Sequence, residues 1–175
     1  MSKRSGTQGG WVREDERLFT LEVSLIQGFL TDEFVDENPV VGRTIEIRGD
    51  QTLQELHRAI FRAYDREEEH MYEFQVGGEG PMDPDATRYV LPMAISGPFA
   101  DETEGVAGCV GETPVGSIGL EVDDTFLYWF DFGDSWWHRI DVASIEQEAP
   151  PGDYPKVTDR VGESPPQYAN WDDEE

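Results

Sequence analysis

Seven aromatic side chains, Phe126, Tyr128, Trp129, Phe130, Phe132, Trp136 and Trp137, fall within twelve residues of one another. Between the two halves of this run lies Asp131-Phe132-Gly133-Asp134-Ser135, whose Asp and Gly content reads as a hairpin turn joining strands at Phe126–Phe130 and Trp136–Ile145. Successive side chains of a strand point to opposite faces, so half of these rings must turn away from whatever core the others build. The chain therefore either covers the second face or presents it to a partner. The cover expected from the sequence is Tyr154, Pro155 and Pro165–Tyr168.

The remaining pattern supplies the rest of a sheet and one helix. Phe19, Leu21, Val23 and Leu25 alternate with Leu18, Thr20, Glu22 and Ser24, a half-buried strand running on toward Leu30. Thr31–Pro39 is acidic and closes on Asn38-Pro39, a turn signal. A second strand is expected at Val41–Arg48, with Ile45 and Ile47 inward. Thr52 and Glu55 spell a capping box, after which Leu53, Leu56, Ile60 and Ala63 recur at helical spacing. Arg58, Arg62 and Arg66 follow one flank of that helix at i, i+4 and i+8. A third strand is expected at Met71–Val76, with Tyr72, Phe74 and Val76 on one face.

Residues 77–112 are rich in Gly and Pro and read as a long loop, with a short strand at Arg88–Ile95 inside it. Thr113 and Pro114 then open a helical turn that reaches Leu120. The fold class is α+β: a mixed sheet packed on one main helix in ββαβ...ββ order. The expected organisation is a loose arm at 1–16, a single domain at 17–149 and a Pro-rich acidic tail at 150–175 that is extended.

Charge narrows the partners. Thirteen Lys and Arg stand against 38 Asp and Glu, a formal net charge of −25. Such a chain repels phosphate backbones and anionic lipid, so direct nucleic-acid and membrane binding are disfavoured and a protein partner is expected. One Cys excludes an internal disulfide. No apolar run approaches the ~20 residues of a membrane span, and no apolar stretch follows Lys3 and Arg4, so a cytoplasmic location is expected.

No complete catalytic motif is present. Asp131-Phe132-Gly133 matches the magnesium motif of protein kinases but lacks the Gly-rich loop, strand lysine and H-R-D that give it meaning. Gly77–Gly80 is followed by no Gly-Lys-Ser/Thr, and Cys109 is remote in sequence from any His. The three histidines, His57, His70 and His138, with Asp131 and Asp134, have the donor types of a zinc or manganese site, and only tertiary convergence would make them one.

The helix Thr52-Leu53-x-x-Leu56-His57-x-x-Ile60, then Glu69-His70-Met71-Tyr72-x-Phe74, then Tyr128-x-Phe130-Asp131-Phe132-Gly133-Asp134-x-Trp136-x-His138-x-Ile140, resembles the plasmid pRiA4b ORF-3-like family. Tyr154-Pro155 and Gly162-Glu163-Ser164-Pro165-Pro166 fit it too, so the likeness spans about residues 18–170. It implies an α+β, β-grasp-like fold and a link to plasmids and transposons. Many members carry cysteines around the C-terminal Pro-Pro; here Ser164 precedes it and Gln167-Tyr168 follow, so no metal or redox role of those cysteines transfers.

The leading expectation is an interaction module without a cofactor. Its surface would be the hairpin: Tyr128, Phe130, Asp131, Phe132, Asp134, Trp136, Trp137 and His138. The alternatives are a metal-dependent hydrolase or nuclease using the His/Asp set, and an accessory protein in DNA recombination. The last would need a basic face.

Overall fold

The computed structural model describes residues 15–28, 30–92 and 106–166. Eight strands form one sheet: β1 (Leu18–Gln27), β2 (Gly42–Arg48), β3 (Tyr72–Val76), β4 (Thr87–Val90), β5 (Val106–Cys109), β6 (Thr125–Phe130), β7 (Trp136–Glu146) and β8 (Lys156–Val161). Their order across the sheet is β5-β4-β3-β6-β7-β1-β2-β8. Every neighbouring pair is antiparallel except β4 and β5, so the sheet is mixed. The α+β class follows the sequence pattern; a β-grasp does not follow from this strand order.

The main helix, α2 (Leu53–Ala63), buries Leu53, Leu56, His57, Ala59, Ile60 and Ala63. Thr52 caps it, its hydroxyl accepting the Glu55 N–H at 3.2 Å, while the Glu55 carboxylate accepts from Gln51 Nε2. These side chains join Phe19, Leu21, Val23, Ile45, Ile47, Tyr72, Phe74, Phe126, Tyr128, Phe130, Trp136, Ile140 and Val142 in one core. The period-two positions of β1, β2, β3, β6 and β7 thus share the helix-facing side of the sheet.

Four features depart from the sequence reading. Thr31–Pro39 contains a short helix, α1 (Asp32–Glu37), capped by the Thr31 hydroxyl on the Phe34 N–H, with Asp32 and Glu33 placed well for the helix dipole. The long loop holds two strands, β4 and β5; residues 93–105, with the end of the expected Arg88–Ile95 strand, lie outside the described residues. The helical turn after Pro114 starts one residue later than expected, at Val115, and a second short turn spans Val110–Glu112. Finally, Lys156–Val161 is extended as expected but forms the edge strand β8 against β2, so the chain beyond residue 149 completes the sheet. The expected arm lies mostly outside the described residues, as do residues 167–175.

Arg43 on β2 secures that edge. Its Nε donates to Ala63 O at the end of α2, Nη1 to Gly42, Val161 and Gly162 carbonyls, and Nη2 to Ser164 Oγ. Arg160 on β8 also donates to Ala63 O, at 2.8 Å. Two guanidinium groups at a helix C-terminus suit the partial negative charge there.

Candidate functional site

The hairpin turn places Asp131 in the left-handed region, φ 62°, which a short polar side chain tolerates by bonding its own backbone. Asp131 Oδ1 accepts the Gly133 and Asp134 N–H groups, each at 3.2 Å. Asp131 is therefore a turn-former, and the kinase-like triplet has this structural basis.

The strands leaving this turn correct the expected binding surface. Tyr128, Phe130, Trp136 and His138 point to the helix-facing core and are at most 1% exposed. Trp137 and Asp131 are buried as well, which leaves Phe132 and Asp134 half-buried at the turn. On the opposite face Trp137 stacks on Trp129 (ring centroids 4.9 Å apart, 7° between planes), and Trp129 on Phe132 (4.2 Å, 28°). The second-face rings thus cover one another. Tyr154 lies instead by the start of α2, its carbonyl accepting from Gln51 Nε2, and Tyr168 is outside the described residues.

Burying His57, His138 and Tyr128 in an aromatic core requires a partner for each polar atom. Tyr128 Oη donates to His57 Nδ1 at 2.6 Å, and His57 Nε2 meets Glu69 Oε1 at 2.8 Å. A carboxylate only accepts, so Nε2 carries the imidazole proton and Nδ1 receives the tyrosine hydroxyl. Burial lowers the His57 pKa to about 4, with Glu69 opposing the shift, and pushes the Tyr128 phenol well above its ordinary range. The His57 ring also lies flat on Tyr72, centroids 3.7 Å apart and planes 3° from parallel.

His138 uses Nδ1 on Tyr128 O (3.2 Å) and Nε2 on Arg66 Nη2 (2.7 Å), and burial holds it neutral, well below the usual imidazole pKa. Arg66, expected on the helix flank, lies beyond the end of α2 and turns inward, 7% exposed. Its guanidinium sits over Tyr64, Phe130 and Trp136 at 5.0, 4.9 and 5.5 Å from the ring centroids, and Nη1 has no hydrogen-bond partner. Cation–π attraction from three rings offsets part of the cost of burying that charge.

The five candidate metal ligands do not converge. His57 and His138 have both ring nitrogens engaged inside the core, while His70 Nε2 approaches Asp131 Oδ2 at 3.5 Å. Asp134 is half-buried, and burial followed by the Asp131 charge raises its pKa. Among the described residues no three His, Cys, Asp or Glu side chains are arranged to hold a metal ion.

Two of the histidines do share a cavity. His57 and His70 line an open cleft of about 440 Å³ with Gln54, Arg58, Glu69, Met71, Tyr72 and Leu91. It opens between α2, the segment leading into β3 and the chain just after β4. Glu69 is 61% exposed there, whereas Tyr72 is buried and its hydroxyl has no hydrogen-bond partner. Glu69 and Tyr72 were not among the candidate site residues, although the motif carrying the family resemblance contains both.

The buried imidazole makes a pH prediction. Between about pH 4 and pH 6.5 the unfolded chain protonates His57 and the native chain does not, so stability rises with pH across that window and is independent of this group above it. The contribution lost on acidification is about 3 kcal/mol. Comparing denaturant unfolding of wild type and His57→Gln as a function of pH cancels the many carboxylates; the variant should show the shallower acid slope. Equal slopes would contradict a buried neutral imidazole.

A family model described as plasmid pRiA4b ORF-3-like protein matches residues 30–169. Among solved structures, the chain is similar to a protein of unknown function, MM3350, from Methanosarcina mazei Go1. The TM-score is 0.64 at 20% identity, covering 87% of this chain and 73% of that one; at this identity the likeness is one of fold. No curated protein matches. Among the described residues no helix is long and apolar enough to cross a membrane.

Proposed function

This chain belongs to the plasmid pRiA4b ORF-3-like family, and from that premise we propose that it is a protein-interaction module whose working surface is the cleft beside His57, Glu69 and Tyr72. The observation that carries this reading is the composition of the cleft. Met71 and Leu91 supply apolar area, and Gln54, Arg58 and Glu69 supply orienting polar groups around one opening. A peptide segment of a partner uses both kinds of contact.

The Tyr128–His57–Glu69 chain has the residue types of an acid–base relay, and its setting favours a structural role. Tyr128 is fully buried, so no substrate reaches its hydroxyl, and His57 is neutral with both nitrogens engaged. It works as a brace for the cleft wall.

The test is selection of short random peptides, displayed on phage, against the full chain. Peptides enriched on wild type should lose at least tenfold in affinity on Leu91→Glu, which places a charge on the apolar wall, and keep it on Phe132→Ala at the hairpin. Binding that follows Phe132 and ignores Leu91 would return the working surface to the hairpin. Failure to enrich any peptide would overturn the reading altogether.

A further inference from the structure

Resting on the reading above, we propose that the segment taken by the cleft carries one basic side chain, lysine or arginine, received by the Glu69 carboxylate. Exposed glutamates ordinarily sample many rotamers, and ordering one on binding has an entropic cost. Glu69 is exposed and yet held. Its Oε1 is fixed by His57 Nε2, and His57 is itself fixed by the Tyr128 hydroxyl on one side and the Tyr72 ring on the other. Tyr128 stands on β6 in the core, so the carboxylate is tied to the rigid part of the molecule through two side chains. That is the preorganisation a charge-recognition site needs.

The anchoring leaves the carboxylate its charge and most of its acceptor capacity. A carboxylate offers about four lone-pair positions, and the imidazole engages one oxygen. His57 is neutral, so it orients Glu69 without neutralising it. Met71 and Leu91, half-buried in the same cleft, suit the methylene stem of a lysine or arginine. The unpartnered Tyr72 hydroxyl is the kind of group that a carbonyl of a bound segment satisfies.

The field has the matching sign. Glu69 lines the cleft and directly follows Glu67 and Glu68 in a chain of net charge −25. A basic segment is steered toward such a surface and an acidic one is repelled. Two other groups of the cleft bear on the cation: Arg58 from α2, which opposes a second positive charge and so limits the segment to one, and His70, which sits by Asp131.

The experiment is a titration of the isotope-labelled full chain with N-acetylated tripeptide amides that place arginine, lysine, norleucine or glutamate between two leucines, followed by NMR. The arginine and lysine peptides should shift the resonances of His57, Glu69 and Tyr72 and bind at least tenfold more tightly than the norleucine peptide. Glu69→Gln, at an exposed position, should erase that preference while the spectrum stays folded. Equal binding of arginine and norleucine peptides, tighter binding of the glutamate peptide, or an unchanged preference in Glu69→Gln would overturn the inference and leave the cleft reading standing. No shift at the cleft with any of the four peptides, together with no enriched peptide in the selection, would overturn both.

Discussion

Trp136→Ala will cost about 3–5 kcal/mol of folding stability, the range for removing a large aromatic side chain from a packed core. Trp136 is 1% exposed and stands opposite Phe130 in the β6–β7 register. Its six-membered ring lies so close to Gly28 that any Cβ at that position would overlap it. The Arg66 guanidinium lies over the indole at 5.5 Å from the ring centroid, so truncation both opens a cavity and takes one wall from the cage around a buried cation. Against a typical total of about 5–15 kcal/mol this is a large fraction of what keeps such a domain folded. Trp136→Phe should cost about 1–2 kcal/mol, since Nε1 makes no hydrogen bond that phenylalanine would forfeit. Denaturant unfolding followed by circular dichroism measures both. A loss below about 1 kcal/mol for Trp136→Ala would match an exposed residue instead, and with it the hairpin as a binding surface.

Arg43→Ala will cost about 3–5 kcal/mol and will loosen the β8 edge ahead of the rest of the sheet. One guanidinium, 3% exposed, joins three parts of the chain that are distant in sequence: the end of α2 at Ala63, the β2 strand at Gly42, and the segment Val161–Ser164. Without it the carbonyls of Val161 and Gly162 lose a charged donor in a half-buried setting, while Ala63 O retains Arg160. Arg43→Lys should recover only part of the loss, because a single ammonium cannot span the directions that the planar fork reaches. Hydrogen exchange should show β8 amides and residues 162–164 losing protection in Arg43→Ala before β6 and β7 do. An unchanged unfolding midpoint with unchanged exchange in β8 would refute this role.

Several elements were legible because their local code and their tertiary use agree. The alternation in β1 and β2, the Thr52 cap with its 3.6-residue apolar spacing, and the Asp/Gly turn between two aromatic runs each state a local geometry that the packed core then uses. α1 is hard to read because the turn signal at Asn38-Pro39 follows closely on the Thr31 cap and its two acids. β5, with the sequence Val-Ala-Gly-Cys, has no alternation to read and is a strand because β4 offers it a parallel edge. β8 lies among prolines and charges, and β2 with Arg43 makes it a strand.

For the candidate site the same division holds. His57 and His70 are legible as residue types with site chemistry, and the family motif contains Glu69, Tyr72, Tyr128 and His138. Their roles were not readable. Tyr128 and Trp136 looked like surface candidates because strand parity separates two faces without saying which of them a helix will cover.

By itself the sequence determined the class of fold, the main helix and its start, the hairpin, and a net charge of −25. All of these depend on residue type and on spacing within one segment. Only the tertiary structure decided that α2 covers the Phe126–Tyr128–Phe130 side of the sheet, which sends Trp136, His138 and Arg66 into the core. It likewise decided that Glu69, 12 residues beyond His57 in the chain, returns to it and is held at the mouth of a cleft. The physical reason is that burial and hydrogen-bond partnership belong to pairs of segments; no single stretch of chain carries the information about what will be packed against it.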